Sequence, residues 1–381
     1  MEISQIKAYK VALPFLMPIP HALTKGLHSE NVVVEIIAGG EGLKGYGEGT
    51  PRKYVTGETQ DEAVENIRHL IRHPAFPWKV RKVSDISSFI DILPDEKKIN
   101  PALCALETAL LDVLGRERGI NMVNFFPHEF LASKIHYGGA FPLSNGKTLR
   151  EYCLIMKKMD IRKIKMKVGK SLKKNQQALE IIRGVFADEG DLKIDVNGVW
   201  DKELALLHLP LLKEYRVKIV EQPLGPDDPD ISLVAEAMDR NGIVLMADES
   251  TCSFKDMEKM VEAGNYKMVN IRLSKMGGLH KTLKIVDYLR KKGLPFQIAC
   301  HLGESGLLSA AGRILGLLCR DALYYDGSYD ALLLKQNITR EPVSFGLRGE
   351  AFPLTGPGLG VEINEESLSQ LTVGQVLTLT P

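Results

Sequence analysis

The chain has 381 residues, of which 44% are hydrophobic and 25% are charged, and its formal net charge is +1. This length exceeds one ordinary hydrophobic core, so we expect two domains, and the composition is typical of a soluble globular protein. The longest cationic cluster, residues 290–292, is too short to grip a phosphate backbone, which excludes nucleic-acid binding as a function. No apolar run approaches the ~20 residues that a membrane-spanning helix needs, so we expect no membrane partner.

The N-terminus and the cysteines indicate a cytoplasmic protein. Residues 1–5 lack the cationic start and the apolar core that open a signal peptide. The five cysteines are scattered and form no Cys-x-x-Cys pair. We therefore expect reduced thiols and no structural zinc site.

Residues 1–125 are predicted to form an α+β domain. Strand-like alternation covers residues 3–13, 31–38 and 43–48, which indicates an antiparallel meander. Residues 17–29 are polar, irregular and long for a hairpin loop, as lids and binding loops often are. Helical spacing of apolar residues then predicts three helices, which begin near residues 59, 84 and 101, and the last of them ends at Gly115 or Gly119.

Residues 126–330 change to an alternation of strands and helices, which predicts a parallel (β/α)8-type, TIM-like barrel. The eight predicted strands cover residues 135–143, 163–168, 192–196, 217–220, 243–247, 267–273, 295–300 and 322–325. The tail, residues 331–381, is rich in Gly and Pro and is predicted to pack back on the first domain.

Five charged residues recur near the ends of successive predicted strands. They are spaced 26 to 28 residues apart, about the length of one strand, one helix and two loops: Lys167, Asp195, Glu221, Asp248 and Lys275. Active sites of such barrels lie where the carboxyl ends of the strands meet. The spacing therefore predicts that all five side chains face one mouth.

The three carboxylates predict a site for a hard divalent cation. Acids that converge without a counter-ion repel one another and raise one another's pKa values. Oxygen-only ligation at Asp195, Glu221 and Asp248 favours Mg²⁺, with Mn²⁺ as an alternative, over zinc. A role for each acid as a helix cap or surface ion-pair partner stays open, although three acids in register argue against it.

The lysines predict acid–base chemistry. Lys165 and Lys167 alternate with one residue between them, so both point into the barrel, and Lys275 is predicted to face Lys167 across the mouth. Like charges and desolvation lower the pKa of a lysine until it can act as a general base. One lysine would remove the proton α to a substrate carboxylate, and the metal would stabilise the enediolate. The alternative is that both lysines only pair with the acids.

These motifs resemble the enolase superfamily, and within it the muconate-lactonising-enzyme subgroup. The motifs that carry the resemblance are Lys165-x-Lys167, Asp195-x-Asn197, Glu221-Gln-Pro, Asp248-Glu249-Ser and Lys275-x-Gly-Gly. The resemblance implies a modified (β/α)7β barrel under a capping domain, Mg²⁺ on the three acids and Lys167 with Lys275 as the acid–base pair. It also implies that Lys165 supports Lys167, that Asn197 and Glu249 lie close to the metal, and that the protein forms a dimer or an octamer.

The substrate pocket is less well defined by the sequence. Glu304 is predicted to line the pocket, and His301 is interpreted as a pocket or core residue, with catalysis as the less favoured reading. Dipeptide epimerases of the subgroup carry Asp-x-Asp at strand eight to hold the substrate ammonium group. Here only Asp326 is present, so the signature is incomplete, although Asp326 could hold a cation. His21 and Lys25 could cover an anionic or polar substrate tail.

The resemblance implies an isomerase or lyase that acts on a small carboxylic acid. Racemisation or epimerisation and cycloisomerisation are the leading alternatives, and a dehydration like that of o-succinylbenzoate synthase also stays open. A hypothesis of a different class is a catalytically silent barrel that binds a small acid, but the presence of all five charged residues argues against it.

Overall fold

The computed structural model describes residues 1–20, 25–40 and 42–381, and for residues 18–20 and 25 it describes the backbone alone. The strands in chain order are β1 (Ile3–Pro20), β2 (Lys25–Ala38), β3 (Leu43–Gly49), β4 (Ile135–His136), β5 (Gly139–Phe141), β6 (Lys163–Lys167), β7 (Asp191–Asp195), β8 (Ile219–Glu221), β9 (Val244–Ala247), β10 (Met268–Arg272), β11 (Phe296–Ala299), β12 (Tyr324–Tyr325), β13 (Glu350–Ala351) and β14 (Leu377–Leu379). The helices are α1 (Gln60–Arg72), α2 (Val83–Asp91), α3 (Asn100–Arg118), α4 (Gly146–Lys158), α5 (Leu172–Phe186), α6 (Lys202–Glu214), α7 (Ile231–Asp239), α8 (Phe254–Ala263), α9 (Leu273–Met276), α10 (Leu279–Lys292), α11 (Gly306–Leu317), α12 (Asp330–Leu333) and α13 (Glu365–Leu371).

The first domain contains an antiparallel sheet in the order β14-β1-β2-β3. The last strand of the tail, β14, pairs with β1 and forms one edge of this sheet. The prediction of an irregular loop over residues 17–29 is wrong for most of that range, because β1 and β2 continue to pair as far as Pro20 and Lys25. Only the tip, which includes His21, lies outside the described residues, and the side chain of Lys25 is also not described.

Helix α3 is the buried element between the sheet and the barrel. The glycines of β3 allow this close packing, because a Cβ atom at Gly47 would clash with the carbonyl oxygen of Ala105. The helix ends at Gly119, whose φ of 66° lies in the left-handed region that glycine tolerates best. Helix α3 therefore connects the capping sheet to the barrel mouth.

The barrel confirms the predicted fold class. Eight parallel strands among the described residues run from β5 to β12 in chain order. The amide of Gly138 donates to the carbonyl oxygen of Tyr325 over 2.8 Å, which joins the first and the last strand. The predicted first strand, residues 135–143, is interrupted: β4 pairs with β13 of the tail, and only β5 enters the barrel.

The sixth barrel strand ends earlier than predicted. Strand β10 stops at Arg272, and the short helix α9 follows directly, so Lys275 lies on a helical turn and not at the strand end.

Among the described helices, none is long and apolar enough to cross a bilayer.

Candidate active site

Three of the predicted residues lie side by side at the carboxyl ends of neighbouring strands. Lys167, Asp195 and Glu221 are successive Cα partners across β6, β7 and β8. Residues paired across a sheet point to the same face, so these three side chains enter the barrel at one level. Asp248 follows β9 directly. Asp195, Glu221 and Asp248 are each at most 1% exposed, so the structure brings the predicted acids together in a buried site.

Lys165 lies deeper in the barrel than Lys167 and is enclosed by acids. Its ammonium group is 3.4 Å from Glu221, 3.3 Å from Asp326 and 4.0 Å from Asp195. Burial acts to lower the pKa of Lys165, but these carboxylates outweigh it and hold the pKa above its usual value. Lys165 is therefore a fixed cation beneath the site.

Asp326 is paired with two lysines inside the barrel. Its carboxylate accepts a hydrogen bond of 2.9 Å from Lys193 and pairs with Lys165. Although burial acts in the opposite direction, these two lysines lower the pKa of Asp326. These two pairs disfavour the hypothesis that Asp326 holds a substrate cation, because two lysines of the protein already balance its charge.

Lys167 is positioned at the mouth by polar partners. Its ammonium group donates to Oδ1 of Asn197 over 2.7 Å and lies 3.4 Å from Asp195. Burial lowers the pKa of Lys167, and the neighbouring charges of Lys165 and Arg272 act in the same direction. With 20% of its side chain exposed, Lys167 combines a lowered pKa with access to the mouth.

The turn after β9 is fixed by the Glu221-Gln-Pro motif. The side chain of Gln222 accepts hydrogen bonds from the amides of Asp248 and Ser250 over 3.0 and 3.1 Å. On the same turn, Glu249 accepts a hydrogen bond from Asn197 over 3.1 Å. Burial, together with the charges of Asp195 and Glu221, raises the pKa of Glu249 to about 7.

The donor chemistry of this site fits a hard divalent cation. Buried carboxylate oxygens of Glu221 and Asp248 accept no hydrogen bond from the described residues and lie beside the cations Lys165 and Arg272, while Glu249 Oε2 has neither kind of partner there. Such oxygens cost free energy unless a cation or a donor reaches them. The described residues contain no group of three His, Cys, Asp or Glu side chains already arranged around a metal. Instead, the guanidinium group of Arg272 contacts Asp248 and lies 3.8 Å from Glu221.

Lys275 is enclosed on the far side of Asp248. Its ammonium group donates to the Asp248 carbonyl oxygen, to Asp248 Oδ1 and to the Asn270 carbonyl oxygen over 2.7, 2.9 and 2.8 Å. Burial lowers the pKa of Lys275 to about 7, as expected for a base. However, none of its side chain is exposed. Lys275 therefore differs from the prediction in its backbone position, since it lies on helix α9 three residues after Arg272 ends the strand.

His301 and Glu304 lie where β11 ends, against the capping domain. Nδ1 of His301 is 2.9 Å from the hydroxyl group of Thr50, and Nε2 has no hydrogen-bond partner among the described residues. Burial and four nearby cations lower the pKa of His301. Glu304 accepts a hydrogen bond from the His301 amide over 2.6 Å, and burial raises the pKa of Glu304 to about 8.

Sequence analysis missed residues that hold the site together. Arg272, Asn270, Gln222 and Lys193 all contact predicted site residues. A signal for the first two was present, because alternation within the predicted strand 267–273 places Asn270 and Arg272 on the inward face. Alternation within the predicted strand 192–196 likewise places Lys193 on the inward face, two residues before Asp195.

A family model described as "Enolase C-terminal domain-like" matches residues 148–367, more than half of the chain. Among curated relatives, the N-succinyl-L-Arg/Lys racemase of Bacillus cereus is 25% identical, with 98% of this chain and 99% of the relative covered. Muconate cycloisomerase 1 of Rhodococcus opacus is also 25% identical, with the same coverage. A third relative is the hydrophobic dipeptide epimerase of Enterococcus faecalis, which is 25% identical, with 90% of this chain and 89% of the relative covered. The named relatives thus include racemases, epimerases and cycloisomerases.

Solved structures agree with this fold. A crystal structure of the Bacillus cereus N-succinyl Arg/Lys racemase superposes with a TM-score of 0.87 over the full length of both chains, at 23% identity. A dipeptide epimerase from Cytophaga hutchinsonii, complexed with Mg and the dipeptide D-Ala-L-Val, has a TM-score of 0.84 at 25% identity, with 99% of this chain and 100% of that chain covered.

Proposed function

Because the chain belongs to the enolase C-terminal domain-like family, we propose that it is a Mg²⁺-dependent isomerase or lyase that removes the proton α to a carboxylate of a small acid. The observation that carries the proposal is the position of Lys167. It is a partly exposed lysine with a lowered pKa, in register with the buried acids Asp195 and Glu221. A lowered pKa makes the neutral amine of Lys167 available as a base, and its position beside a cation-binding acid cluster suits abstraction of a proton next to a carboxylate.

Asp195, Glu221 and Asp248 would hold the Mg²⁺, and Mn²⁺ is a second hard cation that these oxygen donors suit. When bound, the metal supplies positive charge that offsets the negative charge on the substrate oxygens as the α-proton leaves. Asn197 orients the ammonium group of Lys167, and the fixed charge of Lys165 lowers the proton affinity of Lys167. Glu249 and Gln222 keep the turn that carries Asp248 in place.

Several reactions share this first step. The named relatives favour racemisation, epimerisation or cycloisomerisation, and dehydration like that of o-succinylbenzoate synthase is an alternative of the same chemistry. The engagement of Asp326 by two lysines disfavours a substrate with a free ammonium group at that position. A non-catalytic barrel that binds a small acid is the alternative of a different class, and the pKa and access of Lys167 argue against it.

We further propose a cytoplasmic homo-oligomer, a dimer or an octamer, with residues 1–125 as the capping domain and residues 126–330 as the barrel. Exposed leucines on two adjacent barrel helices support an oligomer: Leu206 and Leu207 of α6 and Leu233 of α7. Neighbouring exposed apolar side chains often mark contact surfaces between subunits.

The proposal is tested by proton exchange. The protein with Mg²⁺ is incubated in D₂O with N-succinylamino acids, dipeptides and muconolactone, and deuterium at the α-carbon is measured by mass spectrometry. Incorporation that disappears with EDTA and in Lys167→Ala, but persists in the exposed-lysine control Lys170→Ala, is the expected result. Incorporation that survives in Lys167→Ala would contradict the assigned base, and binding without exchange for the whole panel would favour the silent barrel.

A further inference from the structure

A buried chain of hydrogen bonds fixes the backbone that follows Lys167. Gly169 lies two residues beyond the end of β6, and the side chain of Asn175 from α5 holds both of its backbone polar groups. Asn175 Oδ1 accepts from the Gly169 amide over 3.1 Å, and Asn175 Nδ2 donates to the Gly169 carbonyl oxygen over 2.7 Å. The indole of Trp200 donates to the same oxygen over 2.9 Å. Three hydrogen bonds therefore fix the position of this segment.

The amide group of Asn175 is in turn oriented by His208 of α6. Its Nδ2 lies 2.9 Å from His208 Nε2, and His208 Nδ1 lies 2.7 Å from the carbonyl oxygen of Leu204. A carbonyl oxygen only accepts, so Nδ1 carries the proton of the neutral ring, and Nε2 accepts from Asn175. Since the Gly169 amide only donates and the Gly169 carbonyl oxygen only accepts, the orientation of the Asn175 amide is fixed from both ends.

The ring of His208 is buried away from charge. His208 is 0% and Asn175 4% exposed, and the ring stacks on Trp200 with 4.2 Å between the ring centroids. The positions one helical turn from His208 on α6 and from Asn175 on α5 carry no charged residue, and the exposed carboxylate of Asp201 caps α6 on the Leu204 amide. Burial lowers the pKa of His208, although its hydrogen bond to the Leu204 carbonyl oxygen acts in the opposite direction. The neutral ring is therefore the form present at neutral pH.

The chain connects the two segments that determine where the Lys167 ammonium group points. One segment carries Lys167 itself and continues to Gly169. The other carries Asn197, which accepts from Lys167 over 2.7 Å, and three residues later Trp200, which binds Gly169. A shift of either segment would change the direction of the Lys167 ammonium group. His208 therefore acts on the proposed base through the backbone, without contact with a substrate.

We propose that His208 and Asn175 are positioning residues for Lys167, and that protonation of His208 releases the segment they hold. This inference rests on the proposed function and adds a means of control to it. A protonated ring has a donor at Nε2, which would face the donor Nδ2 of Asn175. The Asn175 amide then turns over so that Oδ1 accepts from the ring.

The turned amide can no longer hold Gly169. Its Nδ2 would face the Gly169 amide, donor against donor, and its Oδ1 would face the Gly169 carbonyl oxygen, acceptor against acceptor. Of the three hydrogen bonds to Gly169, only the one from Trp200 would remain. We therefore expect the base to lose its fixed position in acid, at pH values below the usual histidine pKa of about 6.5.

The native, wild-type protein tests the release without a substrate. NMR of the protein labelled with ¹⁵N-histidine reads the tautomer and the proton uptake of the His208 ring, and hydrogen–deuterium exchange resolved to single residues reads the Gly169 amide. We expect a neutral ring with its proton on Nδ1 at about pH 8. Amide exchange at Gly169, corrected for its intrinsic pH dependence, should rise about tenfold as the ring takes up its proton. A ring that stays neutral until the protein unfolds, or exchange that does not follow its titration, overturns the release.

Two variants separate positioning from packing. His208→Gln keeps an acceptor for Asn175 but does not titrate, whereas His208→Phe keeps a ring on Trp200 and removes the acceptor; the exposed His128→Gln is the control. We expect His208→Phe to lower kcat for α-proton exchange about tenfold with KM unchanged, because the base is displaced but the substrate site is kept. His208→Gln should recover most of this loss and lack the fall of kcat that follows the His208 titration in the wild type.

Equal kcat values in His208→Phe and the wild type would overturn the positioning role. So would similar losses in His208→Phe and His208→Gln that follow the loss of stability in urea, because they would show that the ring only packs. Failure of every substrate to exchange its α-proton counts against the proposed function. The Gly169 amide still judges the chain in that case, since unchanged exchange in His208→Phe would show that His208 does not hold this segment.

Discussion

The two sides of the barrel mouth are built differently. On the strand-six side, the turn after β10 is tied to the first domain, because Asn100 holds the Lys275 carbonyl oxygen and the Thr50 amide donates to the Ser274 hydroxyl group over 2.9 Å. On the strand-two side, the loop at Gly169 is held by the barrel's own Asn175 and Trp200. The contacts with the first domain explain why Lys275 is fully buried, whereas Lys167 keeps 20% of its side chain exposed.

The largest expected effect is on the strand-two side. Replacement of Lys167 by Ala removes the general base, so the rate of α-proton exchange should fall about 10³-fold while the protein stays folded. Exchange rates measured for Lys167→Ala and for the control Lys170→Ala test this. Equal losses in both variants would mean that surface charge, and not the base, limits the reaction.

Gly278→Ala should strongly destabilise the strand-six side. Gly278 has a φ of 99°, and an added Cβ would clash with the carboxylate of Glu107 on α3. Backbone strain and overpacking should together lower the free energy of unfolding by about 4 kcal/mol. The matched change on the strand-two side, Gly169→Ala, meets no atom within 4 Å and should cost less than about 1 kcal/mol. Urea unfolding measures both, and similar losses would remove the contrast between the two sides.

Glu107 should make the strand-six anchor depend on pH. Burial raises the pKa of Glu107 to about 8, although its carboxylate accepts a hydrogen bond from the His280 amide over 2.9 Å. Between the usual pKa of about 4.5 and about 8, the native state binds a proton that the unfolded state has released. The free energy of unfolding should therefore fall as the pH rises through this window, by about 2 kcal/mol between about pH 6 and about pH 8.5.

Urea titrations at both pH values measure this slope, and Glu107→Gln should flatten it because glutamine does not titrate. The exposed Glu117 on the same helix serves as the control, and Glu117→Gln should retain the slope. A slope unchanged in Glu107→Gln would show that other groups cause it.

The smallest expected effect is the loss of one hydrogen bond on the strand-two side. Trp200→Phe removes the indole donor that reaches the Gly169 carbonyl oxygen over 2.9 Å but keeps a ring to stack on His208. The free energy of unfolding should fall by about 1 kcal/mol. A much larger loss, measured by thermal unfolding, would show that the strand-two loop is anchored as firmly as the strand-six turn.

The barrel and the acid cluster could be predicted from the sequence because both depend on local patterns. Strand ends recur at nearly constant spacing, and the residue that ends a parallel strand faces the mouth. Lys167, Asp195 and Glu221 followed this rule, and the structure places all three in register. The fold class was predictable for the same reason, since alternating strands and helices leave few arrangements.

The surroundings of Lys275 and Asp326 could not be predicted, because they depend on contacts between residues distant in sequence. The position of Lys275 was misjudged by three residues, as a helical turn replaces the expected strand end. Asp326 is neutralised by Lys193 across the barrel, a contact between residues 133 positions apart. The extension of β1 and β2 was missed because prolines and glycines in residues 17–29 predict a loop, whereas pairing between the two strands overrides that preference.

A crystal structure of the protein with Mg²⁺ and malonate, a small dicarboxylate, would test the central claim most directly. The account predicts the metal on Asp195, Glu221 and Asp248, and the ammonium group of Lys167 next to the malonate. A metal bound away from these three acids, or malonate bound out of reach of Lys167, would contradict it.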